Sequence, residues 1–192
     1  MNDSASIVKQ VSNLDIPLER DVFMRTLIRE LSNTLQKVVG SDQASGFISV
    51  VGQVMGKQMD NQYREALNLS SLDREQVAAV LVDLKQRIQG DFYVIEQDDE
   101  KIVFGSRSCP FAEKVIGQKS MCMMTSNVFG SIAANNLGYA KVHLKETIAE
   151  GRPECRVVVY LKTSDEADAV EGREYFKSTA ECSTEKQHTC FD

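Results

Sequence analysis

The stretch DFYVIEQDDEKIVFGS, residues 91–106, marks the point where the chain changes from helical to strand periodicity. Two short runs, FYVIEQ (92–97) and KIVFGS (101–106), are rich in β-branched and aromatic residues, and the acidic turn 98–100 separates them. Two such runs joined by a short polar turn are typical of a β-hairpin. The sequence therefore predicts that a sheet begins here, after a helical first half.

Upstream of this stretch, the sequence predicts three helices. The first follows Pro17 and ends at Gly40, and the second runs to about Leu67. The third begins near Asp73, in an N-cap pair with Ser70, and ends at Gly90. Apolar residues recur at helical spacing in the first two helices, at Phe23, Leu27, Leu31, Leu35, Val38, Phe47, Val50, Val51, Val54 and Met55.

Glycines are the unusual feature of the second predicted helix. Ser41 or Asp42 is expected to cap it, and Gly46, Gly52 and Gly56 lie inside it. Each glycine costs about 1 kcal/mol of helix propensity relative to alanine. Their presence indicates that another helix or a ligand approaches closely, or that the helix is broken.

Downstream of the hairpin, the pattern predicts one more helix and two more strands. The helix covers 125–138, and the β-prone runs YAKVHLKET (139–147) and CRVVVYLK (155–162) follow it. The predicted fold class is α+β, with N-terminal helices packed on a small, mostly antiparallel sheet and a further helix between its hairpins. Such a layered arrangement leaves room for an apolar pocket between helices and sheet.

Composition and charge narrow the function classes. The chain has 192 residues, of which 42% are hydrophobic and 26% charged, and its formal net charge is −6. Because phosphate neutralisation needs a concentrated basic face, direct binding to nucleic acid is not expected. The sequence contains neither a run of about 18 apolar residues nor a basic N-terminal region followed by an apolar run. We therefore expect no membrane association and a cytoplasmic location.

The cysteines are concentrated in the second half of the chain, at Cys109, Cys122, Cys155, Cys182 and Cys190. An odd number without an export signal favours metal binding, redox chemistry or buried thiols over a disulfide framework. The first three lie at the ends of predicted elements, where ligands from separate segments can converge. They could hold zinc or an iron–sulfur cluster with a fourth ligand. The alternative is that they are small buried hydrophobic residues.

The two remaining cysteines lie in the polar C-terminal segment. Cys182 and Cys190 flank His188 in the pattern Cys-x5-His-x-Cys. This pattern is compatible with a second metal site, with a redox pair, or with exposed thiols that have no specific role.

The run SCPFAEKVIGQKSMCMMTSNVFGSIAANNLGYAKVHLKETIAEGRPECRVVVYL, residues 108–161, resembles the methanogen output domain. That family is in turn similar to the 4-vinyl reductase-type, or predicted hydrocarbon-binding, sensory domains. The shared order is a cysteine, a helix, a glycine before a strand, and a turn into a final strand. It corresponds here to Cys122, Gly138, Glu146 and Cys155. The resemblance covers roughly residues 90 to 162.

The resemblance implies a metal site. In related sensory domains of phenol-responsive activators, the matching positions hold a structural zinc beside an aromatic-ligand pocket, which would carry over to Cys122, Glu146 and Cys155. Ala149 stands where those sensors have a third cysteine. Cys109, in a Cys-Pro-Phe segment typical of the methanogen output type, could supply the missing thiolate. The implied cofactor is zinc or an iron–sulfur cluster, and the sequence does not choose between them.

The resemblance also implies the function of a stand-alone sensory or regulatory module. Such a module would bind the metal centre, a small apolar ligand or both. If the metal centre is labile, the module would respond to redox state or oxygen. It would signal to a regulatory partner such as a kinase, cyclase or transcription factor. The candidate pocket residues are the aromatic residues Phe104, Phe111, Phe129 and Tyr139. The alternative is that they fill the core, as aromatic residues beside a sheet commonly do.

Two other function classes remain open. The first is a thiol- or metal-dependent enzyme, either a hydrolase or a reductase-associated protein, in which Cys109 or Cys122 acts as nucleophile or metal ligand. A catalytic thiol needs a base within reach, and only His143 or Glu146 is close in sequence. The second is a structural dimerisation module, in which the glycine-rich helix packs against a second copy. A homodimer is expected in either sensory or structural role.

The predicted domain organisation has three parts. Residues 1–16 form a flexible leader and 17–162 a single α+β sensory domain. Within that domain, 17–90 is the helical part and 91–162 the sheet and cysteine part. Residues 163–192 form a polar, acidic tail.

Overall fold

A computed structural model describes residues 9, 11–16 and 19–177. In chain order its main elements are α1 (Arg20–Val39), α2 (Ser41–Leu67), α3 (Arg74–Arg87), β1 (Phe92–Gln97), β2 (Lys101–Ser106), α4 (Cys122–Leu137), β3 (Tyr139–Glu146), β4 (Cys155–Tyr160), α5 (Asp165–Asp168) and β5 (Arg173–Phe176). Short 3-10 helices cover Ala112–Val115, Lys119–Met121 and Ile148–Glu150. None of the described helices is both long and apolar enough to cross a membrane.

The strands form one antiparallel sheet in the order β1-β2-β4-β3-β5. The predicted hairpin pairs β1 with β2 at one edge, and the valine-rich β4 lies at the centre of the sheet. Helices pack on the sheet, with α4 in contact with β3, β4 and β5. The predicted α+β class, with an antiparallel sheet and an intervening helix, is confirmed.

Strand β5 comes from the acidic segment that starts at residue 163 and has little apolar character. It pairs with the edge of β3 and buries Tyr175, whose hydroxyl lies 2.9 Å from the Ser126 hydroxyl. A Cβ atom at Gly130 of α4 would collide with the Tyr175 ring. The absence of a side chain at Gly130 therefore allows this strand to dock.

The main core lies between α3, α4 and one face of the sheet. Phe129 of α4 is fully buried and packs edge to face on two strand residues, with its ring centroid 5.2 Å from that of Phe104 and 5.5 Å from that of Phe92. Leu81 of α3 and Ile102 of β2 are also fully buried in this cluster. These contacts fix α4 on the sheet, and α4 carries part of the site described below.

The helix ends agree with the sequence in most cases. Gly40 ends α1 with a φ of 85°, and the Asp73 side chain caps α3, accepting a hydrogen bond from the Gln76 amide at 2.8 Å while Gln76 caps the Asp73 amide in return. The expected cap of α2 at Ser41 or Asp42 was wrong. Gly40 is the N-cap, and no side chain caps that end.

The glycines of α2 mark a close helix crossing. A Cβ atom at Gly52 would lie 2.8 Å from the Asn127 Cβ of α4, and one at Gly56 would lie 3.0 Å from the Ser131 Cβ. The helix is unbroken from Ser41–Leu67. Of the expected explanations, the close approach of another helix is therefore the one observed.

This crossing has a consequence for the rest of α2. Its buried positions are small or polar, at Ala44, Ser49, Gly52, Gly56 and Asp60. Its large apolar residues point away, and Val54 is 64% exposed. On α1 only Ser32 is buried, and Leu31 is 61% exposed. The apolar stripes that predict these two helices therefore form an exposed apolar face on both.

A thiol-lined apolar cavity as the candidate functional site

A small cavity of about 30 Å³ lies where the N-terminus of α4 meets the ends of the strands. Its lining is mainly apolar and includes three thiols and two hydroxyl groups, from Phe92, Cys109, Pro110, Phe111, Val115, Met121, Cys122, Thr125, Leu144, Thr147, Cys155 and Val157. It separates the main core from a smaller cluster built on Val115, Met121 and Ala149. The cavity is therefore lined by residues of two separately packed clusters.

The structure brings Cys109, Cys122 and Cys155 to this one cavity, each half-buried and without a disulfide. Burial raises the pKa of the Cys122 thiol to about 12, and repulsion from Cys155 and Cys109 acts in the same direction. Burial is also the main cause of the raised pKa values of Cys109 and Cys155. All three thiols are therefore protonated near neutral pH. Protonated thiols are weak nucleophiles and give the cavity a polarizable, apolar surface.

The arrangement of the thiols does not form a metal-ligand group. Within residues 19–177, no three or more His, Cys, Asp or Glu side chains are arranged to hold a metal ion. Glu146, the implied fourth ligand, is exposed at the end of β3 and is not among the lining residues. Cys182 and Cys190 lie outside the described residues. Zinc or an iron–sulfur cluster therefore stays a prediction from the resemblance.

The four aromatic residues predicted for the pocket occupy three different environments. Phe111 lines the cavity. Phe104 and Phe129 are fully buried in the main core. Tyr139 packs against Phe176 of β5 with ring centroids 5.5 Å apart, and its hydroxyl donates to Glu174 at 3.0 Å.

Sequence reasoning missed most of the lining residues and the lysine behind them. Phe92 and Thr125 line the cavity, and Lys85 of α3 lies directly behind Thr125, with its Nζ donating to the Thr125 hydroxyl at 2.7 Å. Only 5% of Lys85 is exposed. A basic residue in the last turn of a helix is normally exposed. The sequence pattern alone therefore could not identify Lys85 as a buried residue.

The candidate bases for a catalytic thiol do not line the cavity. His143 Nδ1 lies 2.5 Å from the Glu171 carbonyl oxygen, on β3. The next residue, Leu144, lines the cavity, and consecutive strand residues point to opposite faces. Glu146 is exposed. In this arrangement no described imidazole or carboxylate from the predicted pair reaches the thiols.

The chain between β2 and α4 forms a wall segment, residues 109–121, which has the cavity on one side and α1 on the other. Arg29 of α1 donates to the Lys114 carbonyl oxygen at 2.7 Å, and the Ser32 and Ser120 hydroxyls lie 3.3 Å apart. Gln36 of α1 also donates to Ser120. Hydrogen bonds therefore connect the wall segment to α1.

A second depression, of about 530 Å³, is open and polar. It lies around the end of α2 and is lined by Asn61, Arg64, Glu65, Asn68, Leu69 and Ser70. Specific ligand sites are usually enclosed and largely apolar. The thiol-lined cavity is therefore the better candidate site in spite of its smaller size.

Residues 27–160 match the family methanogen output domain 1. The chain belongs to this family. The match runs from α1 to the end of β4, so this methanogen output domain includes the cavity and its wall segment within the family region. The resemblance to the 4-vinyl reductase-type domains stays a prediction.

Two solved structures resemble this methanogen output domain. One is trafficking protein particle complex subunit 3 from Naegleria fowleri covalently bound to palmitic acid, with a TM-score of 0.55 and 14% identity, covering 74% of this chain and 95% of that chain. The other is the phenol-responsive sensory domain of the transcription activator PoxR with phenol, with a TM-score of 0.54 and 13% identity, covering 80% of this chain and 81% of that chain. Identities this low show a shared fold. No curated protein sequence matches this chain.

Proposed function

We propose that this methanogen output domain is a sensory and regulatory module that binds a small apolar ligand in the thiol-lined cavity and signals to a partner protein through α1. The observation that carries the proposal is the position of the wall segment. Phe111, Val115 and Met121 of that segment line the cavity, while Ser120 is hydrogen-bonded to α1. Ligand binding and the surface of α1 are therefore mechanically connected.

The size of the cavity explains why binding would produce a signal. A cavity of about 30 Å³ holds only one or two water molecules. A ligand with a phenyl ring therefore requires the wall segment to move outward. Because this segment belongs to the smaller cluster, its displacement moves α1 and leaves the main core intact.

The two structures with the same fold support an apolar ligand. The PoxR domain is described with phenol and the trafficking subunit with palmitic acid. Both ligands contain an apolar portion attached to one polar group. The cavity of this chain offers the matching combination, because its wall is mainly apolar and Thr125 and Thr147 add hydroxyl groups.

A substitution that fills the cavity tests this function. Leu144 lies on β3 and lines the cavity, so Leu144→Phe places a ring in the ligand space. Val94→Phe is the matched control, because Val94 is an exposed strand residue of β1. Thermal unfolding is measured with phenol, benzyl alcohol, benzoate and hexanoate as probes. We expect at least one probe to raise the Tm of the wild type and of Val94→Phe, and to lose this effect in Leu144→Phe.

The signalling half of the proposal has a separate readout. Hydrogen exchange of α1 is compared with and without the active probe in the wild type and in Arg29→Ala, which removes a hydrogen bond from α1 to the wall segment. Altered exchange in wild-type α1, reduced in the variant, supports transmission. Equal Tm increases in wild type and Leu144→Phe would place the ligand elsewhere and overturn the proposal.

A homodimer is the second part of the proposed function, and the exposed apolar face of α1 and α2 favours it. Eleven large apolar side chains between residues 23 and 55 are 37% to 76% exposed. An exposed half of such a side chain amounts to about 50–100 Å². The face is therefore on the order of 500–1,000 Å², which approaches the roughly 800 Å² per partner of a standard interface. A second copy presents the same apolar face.

Sedimentation tests the dimer directly. The wild type is expected to sediment at twice the 21.4 kDa chain mass. A charge within the face, Val54→Glu, is expected to give the monomer, whereas Val94→Glu on exposed β1 keeps the dimer. A wild type that is monomeric at tens of micromolar would overturn this part of the proposal and leave ligand binding unaffected.

A further inference from the structure

The Lys85 side chain is the one feature of the site that an apolar ligand does not explain. Its ammonium is nearly completely buried at the end of α3, and among the described residues no carboxylate forms an ion pair with it. Buried charges in proteins are normally paired, because desolvation of an unpaired charge is costly. Lys85 therefore has no counter-charge among the residues that the structure describes.

The surroundings of Lys85 compensate its charge only in part. The Nζ atom lies 5.2 Å from the ring centroid of Phe92 and 5.4 Å from that of Phe129, and it donates to the Thr125 hydroxyl. Burial lowers the pKa of Lys85 to about 8, so that the ammonium form still predominates near pH 7. A positive charge is therefore present beside the cavity under ordinary conditions.

Thr125 connects this charge to the cavity. Its hydroxyl oxygen accepts a hydrogen bond from Lys85, and no described residue accepts a hydrogen bond from its hydroxyl hydrogen. Because Thr125 also lines the cavity, that hydrogen is available to an acceptor inside it. An acceptor placed there would be linked through one hydroxyl to the ammonium group.

The rest of the cavity favours an anion as well. Cys122 and Thr125 belong to the first turn of the 16-residue helix α4, and the N-terminus of a helix attracts negative charge. The Glu150 carboxylate, which accepts from the cavity residue Thr147, is already paired with Lys119 at 2.8 Å. No unpaired negative charge among the described groups competes for Lys85.

We propose that the ligand of this cavity is a small apolar acid that is ionised at neutral pH, and that Lys85 supplies its counter-charge with the Thr125 hydroxyl in front of it. This inference rests on the proposed ligand site and specifies its ligand class. The apolar portion of the acid would lie against Phe111, Leu144 and Val157. Its carboxylate would accept the Thr125 hydrogen bond.

Two probes of similar shape and different charge test this inference. Benzoate and benzyl alcohol are titrated into the wild type at pH 7 and binding is measured by calorimetry. Hydrogen bonds to charged groups contribute more than neutral ones, so we expect benzoate to bind about tenfold more tightly or better. In Lys85→Met, benzoate should lose this advantage while benzyl alcohol binds as in the wild type. Thr125→Val should reduce benzoate affinity in the same direction.

The outcomes separate this inference from the proposed function. Equal binding of both probes to the wild type, sensitive to Leu144→Phe, would overturn the acid as ligand and keep the cavity as the site. Unchanged benzoate affinity in Lys85→Met would overturn the role of Lys85. Failure of both probes to bind the wild type would count against both proposals. The wild-type comparison does not depend on the folding of any variant.

Discussion

Replacement of Lys85 by methionine is expected to stabilise the ligand-free protein. Burial lowers the pKa of this lysine from an ordinary value of 10.5 to about 8. At about 1.4 kcal/mol per pKa unit, this change corresponds to roughly 3 kcal/mol of destabilisation by the charged form. Methionine fills a similar volume without a charge, but the hydrogen bond to Thr125 is lost, at a cost of about 1 kcal/mol.

The net gain at pH 7 is therefore about 2 kcal/mol, which corresponds to a Tm increase of roughly 4–8 °C for a chain of this size. The assay is thermal and urea-induced unfolding of wild type and Lys85→Met. Lys162→Met, at an exposed position after β4, is the matched control and should have little effect. A Lys85→Met protein that is less stable than the wild type at pH 7 would refute the account of Lys85 as an uncompensated buried charge.

The pH dependence of this difference provides an independent check. Because the pKa of Lys85 is lower in the folded state, its destabilising effect is fully present below pH 8 and disappears as the pH rises from about 8 to 10.5. The raised pKa values of the three cysteines act in the opposite direction, since their stabilising effect is lost at high pH. The charge of Lys85 partly lowers the pKa values of Cys109 and Cys155, so both should be raised further in Lys85→Met. For both reasons the stability difference between Lys85→Met and wild type should shrink above pH 8.

Two further predictions concern the helix crossing and the thiols. Gly52→Ala should destabilise the protein by about 1–3 kcal/mol in urea unfolding, because its Cβ atom would lie 2.8 Å from a Cβ atom of α4. Gly46 has open space around it, so the control Gly46→Ala should gain about 0.5–1 kcal/mol of helix propensity. Equal effects of the two substitutions would contradict the helix crossing. Metal analysis of anaerobically purified protein tests the metal centre predicted on Cys109, Cys122 and Cys155. One zinc ion or iron–sulfur cluster per chain, lost in Cys122→Ser without loss of helical structure, would support this centre. A metal-free wild type would exclude it.

The proposals give Lys85 two opposite effects that can be measured in one variant. Lys85→Met should raise the stability of the ligand-free protein and lower its affinity for benzoate. A residue that only supports the fold would show loss of stability together with loss of binding. Proteins commonly keep destabilising polar groups where these have a function, and the separation of the two effects would identify Lys85 as such a group.

Much of the fold could be predicted because its signals are local. The hairpin at 92–106, the valine-rich central strand β4 and the ends of α1 and α4 at glycine follow from turn chemistry and periodicity. Strand β5 could not, since its pairing depends on a space above Gly130 that receives Tyr175 from a distant segment. Its four residues include the β-prone Tyr175 and Phe176, an apolar island in a polar segment, but so short a run does not identify a partner strand.

The α+β class, the position of the helix-to-sheet transition and the concentration of the cysteines in the second half of the chain all follow from local sequence. Which side of each element lies in the interior depends on how the elements pack together. The close approach of α2 and α4 at Gly52 turned the large apolar residues of α2 outward, and the packing of α3 on α4 enclosed Lys85 behind Thr125. Periodicity shows which residues share a face of a helix or strand. Whether that face is buried depends on what packs against it, and such contacts join segments that are far apart in the chain.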